Sequence, residues 1–166
     1  MHQGLFRVFA IATLLCLGAC QGYDVKINDK VVYTPPSLFS DYSVADDALR
    51  TCIDQVIIDE NIVAPEQLTA LNCAHAGIIR LDGLSTFSGL KSLKLSHNRI
   101  RNLVEVAQLP RLHTLILDDN LVVDPVPLEA MPNLEKLDLS DNPGLQCPRA
   151  GSLGGISDIT LPSHCR

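Results

Sequence analysis

The spacing of hydrophobic residues repeats every 22 positions through the C-terminal part of the chain. Three segments match the pattern Leu-x-x-Leu-x-Leu-x-x-Asn without exception, and they begin at Leu90, Leu112 and Leu134. The remaining residues of these three copies are Leu93, Leu95 and Asn98; Leu115, Leu117 and Asn120; and Leu137, Leu139 and Asn142. A fixed period of this length indicates a protein built from stacked repeats.

Two incomplete copies flank the three complete ones at the same interval. The first begins at Leu68 and has Ala76 where the asparagine is expected, and the last begins at Ile156 and has His164 there. We therefore predict four repeats over residues 68–155 and a truncated capping coil over residues 156–166. Because Ala76 has no side-chain amide, we expect the first repeat to depend on the segment that precedes it.

The Leu-x-Leu core of each repeat predicts a short β-strand, whose successive side chains point to opposite faces. In the first complete copy, Leu93 and Leu95 are expected to point inward, and Ser92, Lys94 and Ser96 outward. The asparagine that follows each strand can donate and accept hydrogen bonds through its amide. We expect these side chains to satisfy buried backbone groups in the turns, forming an asparagine ladder of Asn98, Asn120 and Asn142.

The pattern resembles the leucine-rich-repeat family, in particular the 22-residue class found in internalins and in phosphatase-regulating repeat proteins. The resemblance covers residues 68–166. It implies an α/β fold, namely a solenoid with a curved parallel sheet, an N-terminal helical cap and a truncated C-terminal capping coil. Caps are expected because a single coil cannot bury its own apolar face and an open end exposes the core.

The N-terminal cap is predicted over residues 46–67. Hydrophobic residues recur at helical spacing between Leu49 and Ile57, with Asp46 placed to cap the helix and Pro65 to begin a second short helix. Residues 20–45 are predicted to be a tether that partly packs on the cap and contains a small hairpin around Asn28. A fully disordered tether is the alternative, although four aromatic residues favour some docking; these are Tyr23, Tyr33, Phe39 and Tyr42.

The N-terminus is typical of an export signal. Arg7 precedes an apolar run of about 10 residues, which is shorter than the roughly 20 that a membrane span needs. The run ends in Leu17-Gly18-Ala19-Cys20, which resembles the lipobox of bacterial lipoproteins, so residues 1–19 are predicted to be the signal peptide. The resemblance implies a diacylglyceryl thioether and an N-acyl chain on Cys20, and the alternative is an ordinary cleaved signal with a chance cysteine. The residue after Cys20 is Gln21 and not aspartate, which favours sorting of the lipoprotein to the outer membrane. The sequence does not determine which side of that membrane the protein faces.

The charge balance of the chain excludes some partners. Cleavage after residue 19 would leave 12 basic and 19 acidic residues, and would change the net charge from −6 to −7. Nucleic-acid binding requires a basic surface, so we expect no nucleic acid among the partners. The negative charge also gives no attraction to anionic lipids, so the membrane is expected to be reached through the lipid on Cys20.

Four cysteines remain once Cys16 is cleaved off and Cys20 is acylated. An even number in an oxidising compartment predicts two disulfides, and three connectivities are compatible with the sequence. We favour Cys52–Cys73 and Cys147–Cys165, since each pair would close one end of the solenoid. Zinc ligation is the alternative, but no Cys-x-x-Cys spacing occurs, and we expect neither a metal nor another cofactor.

The concave face of the sheet is the surface expected to bind a partner. Its central column is predicted to contain Asn72, Lys94, Ile116, Asp138 and Thr160. Ile116 is a bulky apolar residue flanked by Lys94 and Asp138, and Asp118 lies beside it, so these four are the candidate binding residues. The alternative is a solitary surface aliphatic residue. Interface hot spots are most often Trp, Tyr or Arg, and none is present on this face, which predicts modest affinity.

The polar residues at the strand ends and elsewhere in the chain predict neither a metal site nor a catalytic site. His75, His97, Asp119 and Asp141 follow successive strands, and such side chains can bind metals, but a linear column does not converge on one ion. The sequence shows no nucleophile, base and orienting group that would converge in one pocket, so we expect no enzyme.

We expect a monomeric, non-catalytic module that binds an envelope or extracellular protein, or a glycan. The alternative is a structural or assembly lipoprotein of the periplasm without a strong specific ligand.

Overall fold

The computed structural model describes residues 24–34 and 36–165, and the chain divides into two compact units between Ser37 and Leu38. The predicted signal peptide, with the lipobox and Cys20, lies outside the described residues. Among the residues that are described, no helix is both long enough and apolar enough to cross a bilayer.

The first unit contains a β-hairpin. Strands β1 (Val25–Ile27) and β2 (Lys30–Tyr33) pair antiparallel, with Ile27 opposite Lys30. The two residues between them, Asn28 and Asp29, have φ angles of 49° and 62°. A two-residue turn with positive φ at both positions matches the twist of the strands, and Asn and Asp tolerate it better than most residues. The hairpin predicted around Asn28 is therefore present.

The second unit begins at Leu38, eight residues before the boundary expected at position 46. Phe39 and Tyr42 stack on each other, and both contact the fully buried ring of Phe87 edge-on, at centroid distances of 6.1 and 5.1 Å. The amide nitrogen of Phe39 also donates to the carbonyl oxygen of Ile62. Residues 38–45 are thus part of the cap. Burial of their aromatic side chains against Phe87 is favourable, which a polar tether could not match.

Helix α1 (Asp47–Asp59) forms the body of the cap. Asp46 is its N-cap, and its Oδ1 atom accepts hydrogen bonds from the amide nitrogens of Ala48 and Leu49. The buried face of the helix consists of Leu49, Ile53 and Ile57. Pro65 begins the short 3₁₀ helix Pro65–Gln67, as its position in the sequence predicts.

Five strands form one parallel sheet in the order of the sequence. They are β3 (Ala70–Asn72), β4 (Ser92–Lys94), β5 (Thr114–Ile116), β6 (Lys136–Asp138) and β7 (Asp158–Thr160). Each residue pairs with the residue 22 positions later, and no register shift interrupts the ladder. Three of the four return segments between these strands contain a 3₁₀ turn; the turns are Leu84–Thr86, Val106–Gln108 and Val126–Ala130.

The asparagine ladder is formed at all three positions. Asn120, for example, donates through its side-chain nitrogen to the carbonyl oxygens of Leu95 and Leu117, and its Oδ1 atom accepts from the amide nitrogen of Ile100. Asn98 and Asn142 repeat these bonds one coil earlier and one coil later. Each asparagine therefore bridges its own turn to the preceding coil.

Both ends of the solenoid carry a disulfide. Cys52 of α1 bonds to Cys73, and Cys147 bonds to Cys165, with Cα–Cα distances of 5.9 and 5.2 Å. This is the connectivity that the sequence analysis favoured. The last strand departs from the repeat pattern, because Ile159, which occupies an inward position, is 38% exposed. No further coil among the described residues stacks on β7.

Candidate binding surface on the concave sheet

The sheet register brings the predicted surface residues into columns. Strand pairing aligns Lys94 with Ile116 and Ile116 with Asp138, so these three side chains follow one another across β4, β5 and β6. Neighbouring strands of a sheet lie about 4.8 Å apart. The central column of the concave face is therefore the one that the 22-residue spacing predicts.

A shallow hollow of about 390 Å³ lies on this face. Its lining includes all four candidate binding residues, namely Lys94, Ile116, Asp118 and Asp138. The remaining lining residues are Ala74, His75, Ser96 and His97. The structure thus brings the four residues to one place, with an apolar side chain in the middle and charges of both signs around it.

The two carboxylates of the hollow are held by neighbouring serines. The Ser96 hydroxyl donates to Asp118 Oδ1, and the amide nitrogen and hydroxyl of Ser140 donate to Asp138 Oδ1 at 2.9 and 2.7 Å. Each bond orients one oxygen of a carboxylate, which limits the rotamer entropy that the group would lose on binding. Both acids are therefore organised before a partner arrives.

Ser96 lies on the outward side of its coil, where it lines the hollow, yet it is only 2% exposed. The reason is its hydrogen bond to Asp118 on the next coil, which draws the two side chains together. Ser96 therefore supports Asp118 and offers a partner little surface of its own.

The two lysines of the concave face differ in their partners. Lys136 lies 2.5 Å from the carboxylate of Asp158, and this hydrogen bond raises the pKa of Lys136. Lys94 is exposed and forms no salt bridge with any residue that the structure describes. Lys94 is therefore the cation of this surface that remains available to an anionic group.

The residues at the strand ends share one backbone conformation. His75, His97, Asp119 and Asp141 have φ angles between 51° and 57°. The rings of His75 and His97 stack at 4.1 Å with an angle of 13° between their planes, and His97 Nδ1 lies 2.7 Å from Asp119 Oδ2. Imidazole lone pairs lie in the ring plane, so nearly parallel rings do not aim at a common ion.

Cys147, His164 and Cys165 are close enough together to hold a metal ion. Both sulfurs are joined in the disulfide, so neither can supply the thiolate that a metal requires. His164 Nε2 lies 3.0 Å from the carbonyl oxygen of Leu145 and can only donate to it. The cluster closes the C-terminal end of the solenoid.

Ser96, His97 and Asp118 adjoin one another, yet they do not form a catalytic triad. The serine hydroxyl donates to the carboxylate of Asp118, whereas nucleophilic catalysis needs an imidazole base on that hydroxyl. His97 instead faces carboxylates, with its Nδ1 on Asp119 and its Nε2 at 3.8 Å from Asp118 Oδ2. The arrangement can present charge and an apolar contact, which suits binding.

No family model matches the chain, and no curated protein matches it. Among solved structures, internalin C2 from Listeria monocytogenes is 30% identical, with a TM-score of 0.47, over 51% of this chain and 37% of that protein. An internalin (inlF) from the same organism is 19% identical, with a TM-score of 0.57, over 70% of this chain and 43% of that protein. The chain spans less than half the length of either structure. Together with the 22-residue parallel register, the second likeness shows that the part of the chain that forms the parallel sheet is a leucine-rich-repeat solenoid.

Proposed function

We propose that the chain is an exported bacterial lipoprotein, attached to the outer membrane through Cys20, whose concave sheet binds a protein of the envelope or the extracellular space. The observation that carries the binding role is the hollow around Ile116, where strand pairing places Lys94 on one side and Asp138 on the other, and where Asp118 is part of the lining. The likeness to internalin structures supports the choice of a binding module over an enzyme.

The chemistry of the hollow specifies a complementary partner. Ile116 is half-buried and offers an apolar contact, while Lys94 and the free oxygens of the two aspartates offer charges of opposite sign. A protein segment that carries an apolar side chain between an acidic and a basic residue fits this arrangement. Complementary charges contribute to specificity and to the association rate more than to affinity, so we expect a selective but modest interaction.

Photocrosslinking in intact cells tests the binding role. A photoreactive amino acid is placed at Lys94, Ile116 or Asp138, with Val104 on a return segment as the matched control position. We expect the three concave positions to give one reproducible protein adduct that the control does not give. Diffuse adducts at all four positions would favour the structural or assembly role instead.

Charge reversal at the same surface provides a second test. Lys94→Glu is expected to abolish the adduct formed from Ile116, whereas Arg101→Glu makes the same change of charge outside the hollow and is expected to leave it intact. Loss of the adduct in both variants would show a general charge effect and contradict the proposed surface.

The membrane attachment is tested separately. Mass spectrometry of the purified chain is expected to show the acyl additions on an N-terminal Cys20, and Cys20→Ala is expected to release the protein into the soluble fraction. An unacylated mature N-terminus would contradict the lipoprotein assignment and leave the binding role of the solenoid open to the crosslinking test.

A further inference from the structure

The hairpin of the first unit exposes apolar side chains on both of its faces. Ile27, Val31, Val32 and Tyr33 are between 48% and 61% exposed. Paired residues of an antiparallel ladder share a face, and the register shifts between Val25 and Lys26, so Tyr33 lies on the face of Ile27 and Lys30, while Val31 lies on the opposite face. An isolated two-stranded hairpin is only marginally stable in water, and the apolar side chains described on both faces of this one are exposed.

The position of the hairpin in the chain indicates what surrounds it. Strand β1 begins five residues after Cys20, and an extended chain spans at most about 3.6 Å per residue. If Cys20 carries lipid, β1 therefore begins within about 18 Å of the attachment point. The closeness of the hairpin to the bilayer rests on the lipidation proposed above.

The charges of the segment allow it to approach a bilayer. Residues 24–34 contain two lysines and two aspartates, which is a net charge of zero, in a chain whose net charge is −6. A neutral segment avoids the repulsion that an acidic surface meets at anionic lipids. Tyrosine, which has an apolar ring and a polar hydroxyl, is enriched at the boundary between headgroups and acyl chains.

We infer that the β1–β2 hairpin lies in the headgroup–acyl boundary of the bilayer and forms a second attachment beside the lipid on Cys20. A lipid surface fits better than a protein partner, because a protein would cover one face of the hairpin, whereas the boundary region can surround both. The turn residues Asn28 and Asp29 are polar and exposed, so the two strands make the apolar contact and the tip stays among the headgroups.

Tryptophan fluorescence tests this inference directly, since the chain contains no tryptophan. Full-length acylated protein carrying Tyr33→Trp is reconstituted into phosphatidylethanolamine–phosphatidylglycerol vesicles, with and without brominated acyl chains. We expect a blue-shifted emission that the brominated lipids quench. Val31→Trp reports on the opposite face of the hairpin and is expected to behave in the same way.

The matched control is Val104→Trp, because Val104 is 53% exposed and Tyr33 is 54% exposed. Its emission is expected to stay unshifted and unquenched. Unshifted emission at Tyr33→Trp and Val31→Trp in protein with acylated Cys20 would overturn the inference and leave the lipid attachment intact. Quenching at all three positions would also overturn it, since the whole chain would then adsorb. A Cys20 without lipid, seen by mass, would refute the lipidation and the inference that rests on it, and leave the binding role of the concave sheet to its own test.

Discussion

The Oδ2 atom of Asp46 accepts a hydrogen bond of 2.9 Å from the amide nitrogen of Ile79, which is 33 residues away in the sequence. The same atom accepts a second bond of 3.1 Å from the amide nitrogen of Arg80. Since Oδ1 caps helix α1, one carboxylate joins the cap to the return half of the first repeat. The first repeat, which has Ala76 in place of a ladder asparagine, is thus attached to the cap by these hydrogen bonds as well as by the Cys52–Cys73 disulfide.

Replacing Asp46 tests this junction. Loss of a helix N-cap costs about 0.5–2 kcal/mol, and Asp46→Ala also removes the acceptor for Ile79 and Arg80, so we expect a loss of about 2 kcal/mol or more in the free energy of unfolding. Asp46→Asn is expected to cost less, because its amide oxygen can still cap the helix while its NH₂ group faces two donors. Urea denaturation measures both; equal stability of Asp46→Ala and the parent would contradict the junction.

The contribution of Asp46 should depend on pH. Burial opposes its ionisation, but hydrogen bonds from four backbone amides outweigh this and lower the pKa of Asp46 below its ordinary value of 3.8. A group with a lowered folded-state pKa stabilises the protein above its unfolded-state pKa, and this stabilisation is lost as the pH falls through the folded-state value. The difference in stability between the parent and Asp46→Asn is therefore expected to be constant near neutral pH and to shrink below about pH 4.

Asn120 is the most informative position of the ladder, because coils lie on both sides of it. Asn120→Ala leaves the Ile100 amide without its partner and removes one of the two side-chain bonds that the Leu95 carbonyl accepts. A buried unsatisfied group costs about 1–3 kcal/mol, and we expect a loss of this size by urea denaturation. The control is Asn102→Ala, since Asn102 is exposed and, among the described residues, accepts a bond only from the Val104 amide. Similar losses in the two variants would argue against the ladder.

Reduction should destabilise the solenoid from both ends. The disulfides close loops with sequence separations of 21 and 18 residues, and the chain-entropy model assigns each about 3 kcal/mol. Cys52→Ser with Cys73→Ser, and Cys147→Ser with Cys165→Ser, are each expected to lower the free energy of unfolding by about that amount. If dithiothreitol left the denaturation midpoint of the parent protein unchanged, the stabilising role would be refuted.

Metal ions should not change the stability of the strand ends. The nearly parallel rings of His75 and His97 do not converge on one ion, so we expect the same melting temperature with zinc, with calcium and with a chelator. The double variant His75→Ala, His97→Ala serves as the control for nonspecific effects of the ions. A rise of several degrees with zinc in the parent but not in the double variant would establish a metal site.

The 22-residue spacing predicts the sheet because one face of every strand is buried. A register error of one residue would turn Leu93 and Leu115 toward water, so the pairing Leu93–Leu115 follows from the sequence. The same reasoning places Lys94, Ile116 and Asp138 in one column. The spacing does not predict that one polar side chain is buried by another. The signal for the Ser96–Asp118 bond is that a donor and an acceptor lie 22 residues apart.

Contacts outside the repeats were harder to predict. The packing of Phe39 and Tyr42 on Phe87 joins residues that are more than 40 positions apart, and no periodicity relates them. The second role of Asp46 has the same origin, since its helix-capping pattern says nothing about Ile79. Such long-range contacts depend on how the cap sits against the first coil, which is a property of shape.

The asparagine bonds make the solenoid modular. Each ladder asparagine completes the turn of the coil before it, so each of the first three coils depends on its successor through the same set of atoms. A duplicated segment of 22 residues, inserted between two of these coils, would find all of these partners in place. Evolution or design can therefore lengthen this protein in whole units without altering either terminus.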